Sequence, residues 1–92
     1  MANIHIERQH TLGLETAKTQ METVAQNLKR DLQADYHWKG NTLVFKRTGA
    51  SGAIDVSEGN VVVDVKLGMA LGLMKGKIED GINRNLDKML TA

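Results

Sequence analysis

Two runs of alternating apolar and polar residues, at 36–47 and 53–66, most strongly constrain the fold of this chain. Each run is interrupted near its middle by a Gly-Asn pair. Such a pair between alternating residues predicts a β-hairpin with a two-residue turn. Two successive hairpins form an antiparallel meander, whose apolar face must then be covered by other elements of the chain.

The predicted register of the first hairpin brings the aromatic residues of the chain together. Trp38 lies opposite Leu43 if the Gly-Asn pair at 40–41 forms the turn. Tyr36 then lies opposite Phe45, and all four side chains share one face of the sheet.

The second hairpin is predicted to turn at its own Gly-Asn pair, at 59–60. This register places Val56 opposite Val63 and Ile54 opposite Val65, so that every inward residue is apolar. Residues 48–52, with the sequence TGASG, are expected to form the turn between the two hairpins.

Helices are predicted on both sides of the hairpins. Residues 14–32 repeat apolar positions every three or four residues over about five helical turns. The connector before this helix offers Thr11 or Gly13 as an N-cap. Residues 66–90 have a similar periodicity, whereas residues 2–8 alternate as a half-buried strand does.

The predicted order is therefore strand, helix, four strands and helix, in a single α+β domain of residues 1–92. We expect an antiparallel meander sheet packed on two helices. This topology resembles a reduced START-like helix-grip fold, in which a curved antiparallel sheet holds a long C-terminal helix. A likeness of topology does not by itself assign a function.

The last predicted helix contains a stripe of glycines, Gly68, Gly72 and Gly76, at four-residue intervals. Each interior glycine costs a helix roughly 1 kcal/mol relative to alanine. The stripe could let the helix pack closely on the sheet. It could instead belong to an exposed patch for a partner or an apolar surface, because no residue from 67 to 74 is charged. A third explanation is a gap between helix and sheet that holds a small hydrophobic ligand.

Two sets of candidate site residues follow from these explanations. The candidate apolar interaction surface consists of Leu67, Gly68, Met69, Ala70, Gly72, Leu73 and Gly76. The residues expected to line a ligand between the sheet and the helix are Trp38, Phe45, Val63 and Met74.

Composition argues against several classes of function. A net charge of +1 and one residue each of Phe, Tyr and Trp argue against a nucleic-acid-binding surface. The lack of cysteine excludes disulfides and thiolate zinc sites. The first ten residues are too polar for a signal peptide, and no apolar run is long enough to span a membrane. We therefore expect a cytoplasmic protein.

No set of residues has the pattern of a catalytic or metal site. His5 and Glu7 share a strand face, but a metal site needs three or four convergent ligands. Ser51 and Ser57 lie in predicted turns without a motif that activates a nucleophile. The GASG sequence at 49–52 leads into a strand rather than a helix, unlike a phosphate-binding loop. We predict a protein that is not an enzyme, with no catalytic residue, cofactor or metal.

Several stretches resemble one family over nearly the whole chain. IHIERQHTLGLETA, WKGNTLVF, GASGAIDV and KGKIEDGINRNLDKML are similar to the polyhydroxyalkanoic acid system family, also described as polyhydroxyalkanoate granule-region proteins. Residues 4–13 and 77–86 are the most specific parts. The resemblance implies a small, cytoplasmic bacterial protein linked to the synthesis, regulation or coating of polyester storage granules, and it implies no catalytic residues.

Two functional hypotheses remain at this point. The first is a non-enzymatic module associated with polyhydroxyalkanoate granules, which binds an apolar surface or a protein partner through residues 67–76. The alternative is a helix-grip protein that binds a small acyl or hydroxyacyl ligand. Neither hypothesis fixes the oligomeric state, and a homodimer stays open.

Overall fold

The computed structural model describes residues 2–90, and its elements follow the predicted order except that two helices replace the single final helix. Residues 1, 91 and 92 of the predicted domain lie outside the described residues. The elements are β1 (Ala2–Gln9), α1 (Leu14–Leu32), β2 (Asp35–Lys39), β3 (Thr42–Arg47), β4 (Ala50–Val56), β5 (Asn60–Leu67), α2 (Met69–Gly72) and α3 (Lys75–Leu90).

The five strands form one antiparallel sheet with the spatial order β1-β5-β4-β3-β2. Strands β2 to β5 are the predicted meander, and β1 adds to its edge by pairing with β5. The α+β class and the antiparallel sheet are thus confirmed. The likeness to a helix-grip fold stays a prediction.

The first hairpin has the predicted register. Trp38 pairs with Leu43, and Tyr36 pairs with Phe45. Gly40 begins the two-residue turn with a φ of 60°, which glycine adopts at no steric cost.

The second hairpin differs from the prediction by two residues. Val56 pairs with Val61 rather than Val63, and Ile54 pairs with Val63. The loop is residues 57–59, and Ser57 closes it by donating its backbone N–H to the carbonyl of Asn60, 2.9 Å away. A shift of two residues returns every side chain to its predicted face, so the apolar alternation alone could not distinguish the two registers.

The turn between the hairpins is also shorter than predicted. Arg47 pairs with Ala50, which leaves only Thr48 and Gly49 in the turn and starts β4 at Ala50 instead of Ala53. Gly49 has a φ of 85°, so the tight turn depends on a glycine at this position.

Both long helices cover the same face of the sheet. The buried residues of α1 and α3 meet the inward side chains of the strands in one apolar core. The two helices supply Ala17, Met21, Val24, Ala25, Leu28, Ile78, Ile82 and Leu86 to this core.

The loop between β4 and β5 holds the start of α1. Gly13, one of the two predicted N-caps, precedes the helix and offers no side chain. The carboxylate of Glu58 accepts the backbone N–H of Leu14 at 3.3 Å instead, and its negative charge suits the positive end of the helix. Buried His10 joins the same two regions, because it accepts the N–H of Leu12 at Nδ1 and donates from Nε2 to the carbonyl of Ser57.

The prediction of one continuous helix from Gly68 to about Leu90 is wrong. Strand β5 continues through Leu67, α2 makes a single turn, and the helix restarts at Lys75. Gly68 precedes α2 without a side-chain cap, and its N–H donates to the carbonyl of Gly49 at 2.7 Å. A one-turn helix that contains glycine has little intrinsic stability, so tertiary contacts set its position.

Close packing on the sheet does not explain all the glycines of this region. A Cβ atom placed on Gly76 would meet no other atom within 4 Å, and the same holds for Gly81. Gly68 is different, since a Cβ there would lie 3.3 Å from the carbonyl oxygen of Gly49. The packing explanation therefore applies to Gly68 and is wrong for Gly76.

Alanine substitutions should distinguish glycine positions that have space for a Cβ atom from positions that do not. Gly76→Ala and Gly81→Ala should each stabilise the protein by up to about 1 kcal/mol, because alanine favours the helix and meets no clash. Gly52→Ala is the contrasting variant. Its Cβ would lie 2.5 Å from Cζ of Phe45 and 2.7 Å from the carbonyl oxygen of Asp64. This variant should lose about 1–3 kcal/mol in urea unfolding, and destabilisation by Gly81→Ala would contradict the geometry.

Candidate apolar binding site

The large apolar side chains that the described structure exposes to solvent lie in one segment. Met69 is 85% exposed, Leu73 is 93% exposed and Met74 is 43% exposed. We call residues 68–76 the glycine-rich segment. It contains six of the seven residues predicted as an apolar interaction surface, namely Gly68, Met69, Ala70, Gly72, Leu73 and Gly76.

The seventh predicted residue, Leu67, has a different location. It pairs with Ala50 in the sheet, and its side chain is 1% exposed. Leu67 is therefore a core residue that anchors the start of the segment, and its side chain adds nothing to the exposed surface.

The glycine-rich segment has an inner side as well as an outer side. Leu71 points inward and packs against the core, with its Cδ1 3.5 Å from the position that a Cβ of Gly49 would take. Met69, Ala70 and Leu73 are exposed on the outer side. The turn between β3 and β4 thus supports the segment while leaving its outer side uncovered.

Lysines flank the glycine-rich segment in sequence. Lys66 precedes it, Lys75 lies within it and Lys77 follows it, and all three are exposed. No acidic residue occurs between Asp64 and Glu79. Along the sequence, the charged residues nearest to the exposed apolar side chains are consequently all positive.

A cavity of about 220 Å³ lies beneath this segment. It is enclosed by the C-terminal part of α1, the inward face of the sheet and the first turns of α3. Leu28, Phe45, Val65, Leu71, Met74 and Ile78 are among its apolar lining residues. Asp31 and Arg47 are the charged residues in its lining.

The structure divides the four residues that were predicted to line a ligand. Phe45 and Met74 line the cavity. Val63 is 1% exposed and packs within the core, away from the cavity lining. Trp38 lies at another part of the sheet, against α1. Sequence reasoning missed Arg47 and Leu71, because a tight turn and a broken helix bring them to this site.

A comparison with models of protein families gave a match over most of the chain. The model of the polyhydroxyalkanoic acid system protein family matches residues 4–90. The chain belongs to this family. Comparisons with curated proteins and with solved structures gave no match.

The name of the polyhydroxyalkanoic acid system family associates the chain with that polyester system, as the resemblance implied. Among residues 2–90, no helix is long and apolar enough to cross a membrane.

Trp38 has a structural role in this family member. Its indole Nε1–H donates to Oε1 of Glu22 at 2.8 Å, and the hydroxyl of Tyr36 donates to Oε2 of the same carboxylate. Lys18 lies over the indole ring, with Nζ 5.1 Å from the ring centroid. The hydrogen bonds from Tyr36 and then Trp38 hold the pKa of the Glu22 carboxyl below its usual value.

The outer face of the sheet carries the histidine that was weighed as a metal ligand. His5 Nδ1 lies 2.5 Å from Oδ1 of Asp64, and Nε2 lies 3.5 Å from Oε1 of Glu7. The hydrogen bond to Asp64 is the main cause that raises the pKa of His5 above its usual value. Within the described chain, no group of three or more His, Cys, Asp or Glu residues could hold a metal ion.

The Glu22 carboxylate should stabilise the protein in a pH-dependent way. A lowered folded-state pKa stabilises the fold above the usual pKa of glutamate, and this contribution is lost as pH falls through the folded-state value. Glu22→Gln should therefore cost about 1 kcal/mol at pH 7 and less at about pH 3, as measured by urea unfolding. The control is Glu79→Gln, since the Glu79 carboxylate makes no hydrogen bond to a described residue. Equal losses at both pH values would contradict the assignment.

Proposed function

We propose that this protein is a non-enzymatic module that binds the apolar surface of polyhydroxyalkanoate storage granules in the bacterial cytoplasm. The observation that carries the proposal is the exposure of Met69 and Leu73, at 85% and 93%, within an uncharged stretch. A polyester granule is an apolar body in water, so a protein on its surface needs an apolar patch of this kind. The family match supports the choice of granule.

The size of the patch suggests weak, reversible binding. Complete burial of a leucine or methionine side chain contributes about 1.5–3 kcal/mol. Met69 and Leu73, with about half of this value for Met74, would therefore contribute on the order of 4–7 kcal/mol. Loss of translational and rotational freedom offsets roughly 4 kcal/mol or more of this gain. Many copies on one granule would then exchange with free protein.

The lysines that flank the glycine-rich segment suit a protein that lies at the boundary between an apolar granule and water. Lys75 and Lys77 can lay their aliphatic stems along the apolar surface while their ammonium groups stay in water. Anionic groups at such a boundary would add roughly 1 kcal/mol per lysine. The arrangement is that of an interfacial segment rather than a spanning one.

Substitution of Leu73 should weaken binding to polymer particles without harming the fold. Leu73→Ser in the purified protein should reduce co-sedimentation with amorphous polyhydroxybutyrate particles about tenfold or more. The melting temperature should stay level or rise, because the wild-type side chain is 93% exposed. Met69→Ser should act in the same direction.

The matched control is Val62→Thr, which removes apolar character from the opposite, outer face of the sheet. Val62 is half-buried and pairs with Glu7 and Asp55. Particle binding should survive this change. Particle binding that is lost in Val62→Thr and kept in Leu73→Ser would assign the granule-binding surface to the outer face of the sheet instead. A dimer that Leu73→Ser dissociates, with no particle binding by the wild type, would assign the segment to a second protein copy instead.

A further inference from the structure

We propose that the cavity beneath the glycine-rich segment binds the acyl chain of a short hydroxyalkanoate, with the carboxylate held at Arg47. The choice of a hydroxylated acid rests on the proposed function, whereas the acyl site itself rests on the cavity. The site would let the protein recognise the building block or the chain end of the polymer as well as the granule surface.

Cavity volume limits the length of the ligand. A volume of about 220 Å³ suits a short acyl chain, and the cavity is partly open to solvent. A chain of about six carbons with its carboxylate at the cavity mouth therefore fits, while part of a chain of ten carbons or more would stay outside.

Arg47 supplies the polar group that orients such a ligand. Its Nη1 donates to the carbonyl of Leu32 at 2.9 Å, and its Nε donates to the carbonyl of Thr48 at 3.0 Å. These two contacts hold the guanidinium at the cavity while other N–H donors of the group remain available. Arginine binds carboxylates strongly because the hydrogen bonds are charge-assisted.

Asp31 is the one negative charge among the residues that line the cavity. Nε of Arg30 lies 3.0 Å from its Oδ1, and both side chains are more than half exposed, so the guanidinium and the solvent weaken its repulsion of an anion. Met74 lines the cavity immediately before α3, a helix whose first turn holds Lys75 and Lys77 and no acidic residue. The local field thus favours a carboxylate at the mouth.

The cavity adjoins the proposed granule surface. Leu71 and Met74 of the glycine-rich segment form part of its lining, and Met74 is also 43% exposed. A ligand could therefore enter beside the exposed residues. Helix α2 within the segment is a single turn, which has little intrinsic stability.

A chain-length series tests the site. Calorimetric titration of the purified protein with butyrate, hexanoate, octanoate and decanoate should give the tightest binding near six carbons and weaker binding at ten. Equal binding of all four acids, or affinity that rises steadily to decanoate, would overturn the cavity assignment. 3-Hydroxyhexanoate should bind at least as tightly as hexanoate, and weaker binding would overturn the hydroxyacid assignment. The same titration with a soluble 3-hydroxybutyrate oligomer that has a free carboxyl end shows whether the site binds a polymer end or only the monomer.

Cavity-filling variants provide the structural control. Ala50→Leu adds three carbon atoms at a lining position and should abolish hexanoate binding while the protein stays folded. Ala34→Val is the second variant, should Ala50→Leu disturb the strand, and is expected to weaken binding at least fivefold. Undiminished binding in folded forms of both variants would overturn the proposal.

Arg47→Gln tests the carboxylate contact. Hexanoate affinity should fall about tenfold, whereas affinity for 1-hexanol, which carries no charge, should change less than twofold. A purely structural role of Arg47 would weaken the binding of both compounds equally, and that result would overturn its assignment.

The cavity proposal and the granule-surface proposal can be refuted independently of each other. Leu73→Ser should lose particle binding and keep hexanoate binding, whereas Ala50→Leu should lose hexanoate binding and keep particle binding. Particle binding by the wild type without any hexanoate binding would refute the cavity and leave the granule surface standing.

Discussion

Burial of a single sheet face is the constraint on which the rest of this structure depends. The five strands present their apolar side chains to one side, and α1 and α3 supply most of the apolar surface that covers them. Glu22 fastens α1 to the first hairpin through Tyr36 and Trp38, and Glu58 receives the start of the helix from the β4–β5 loop. These polar contacts position the cover, but the burial of apolar area supplies the larger part of the driving force.

The two long helices leave one region of the apolar sheet face incompletely covered, and both proposed binding sites lie in that region. Helix α1 ends at Leu32 and α3 begins only at Lys75, so the glycine-rich segment must close the space beside the β3–β4 turn. Its inner residues reach the core while its outer residues stay in water. A segment with so few contacts and so little helical stability leaves a cavity beneath it and an apolar surface above it. Incomplete packing of the glycine-rich segment thus accounts for both the cavity and the exposed apolar surface.

Local sequence patterns correctly predicted the elements that local interactions stabilise. They failed to predict the register of β5 and the structure of the glycine-rich segment, because these depend on contacts between residues distant in sequence. The register at Trp38 and Phe45 was predicted correctly because the Gly-Asn pair at 40–41 forms the two-residue turn, whereas the pair at 59–60 does not. The valines of β5 are interchangeable under a shift of two residues, so that register depends on the loop after Val56 and on β1. Helical periodicity continues through the glycine-rich segment, although the helix is interrupted at Leu73 and Met74. The hydrogen bond from Gly68 to Gly49, which fixes the start of the segment, is a contact that no local pattern shows. The exposed surface was therefore largely predictable, whereas Arg47 and the cavity were not.

The most direct test of the account is the environment of residue 73 when the protein meets polymer. The chain has no cysteine, so Leu73→Cys can be labelled at a single position with a polarity-sensitive fluorophore. Gln26→Cys, on the exposed side of α1, is the matched control. Addition of amorphous polyhydroxybutyrate particles should shift the emission at position 73 to the blue and leave the emission at position 26 unchanged. An unchanged spectrum at position 73, or equal shifts at both positions, would contradict the central claim that the glycine-rich segment is the granule-binding surface.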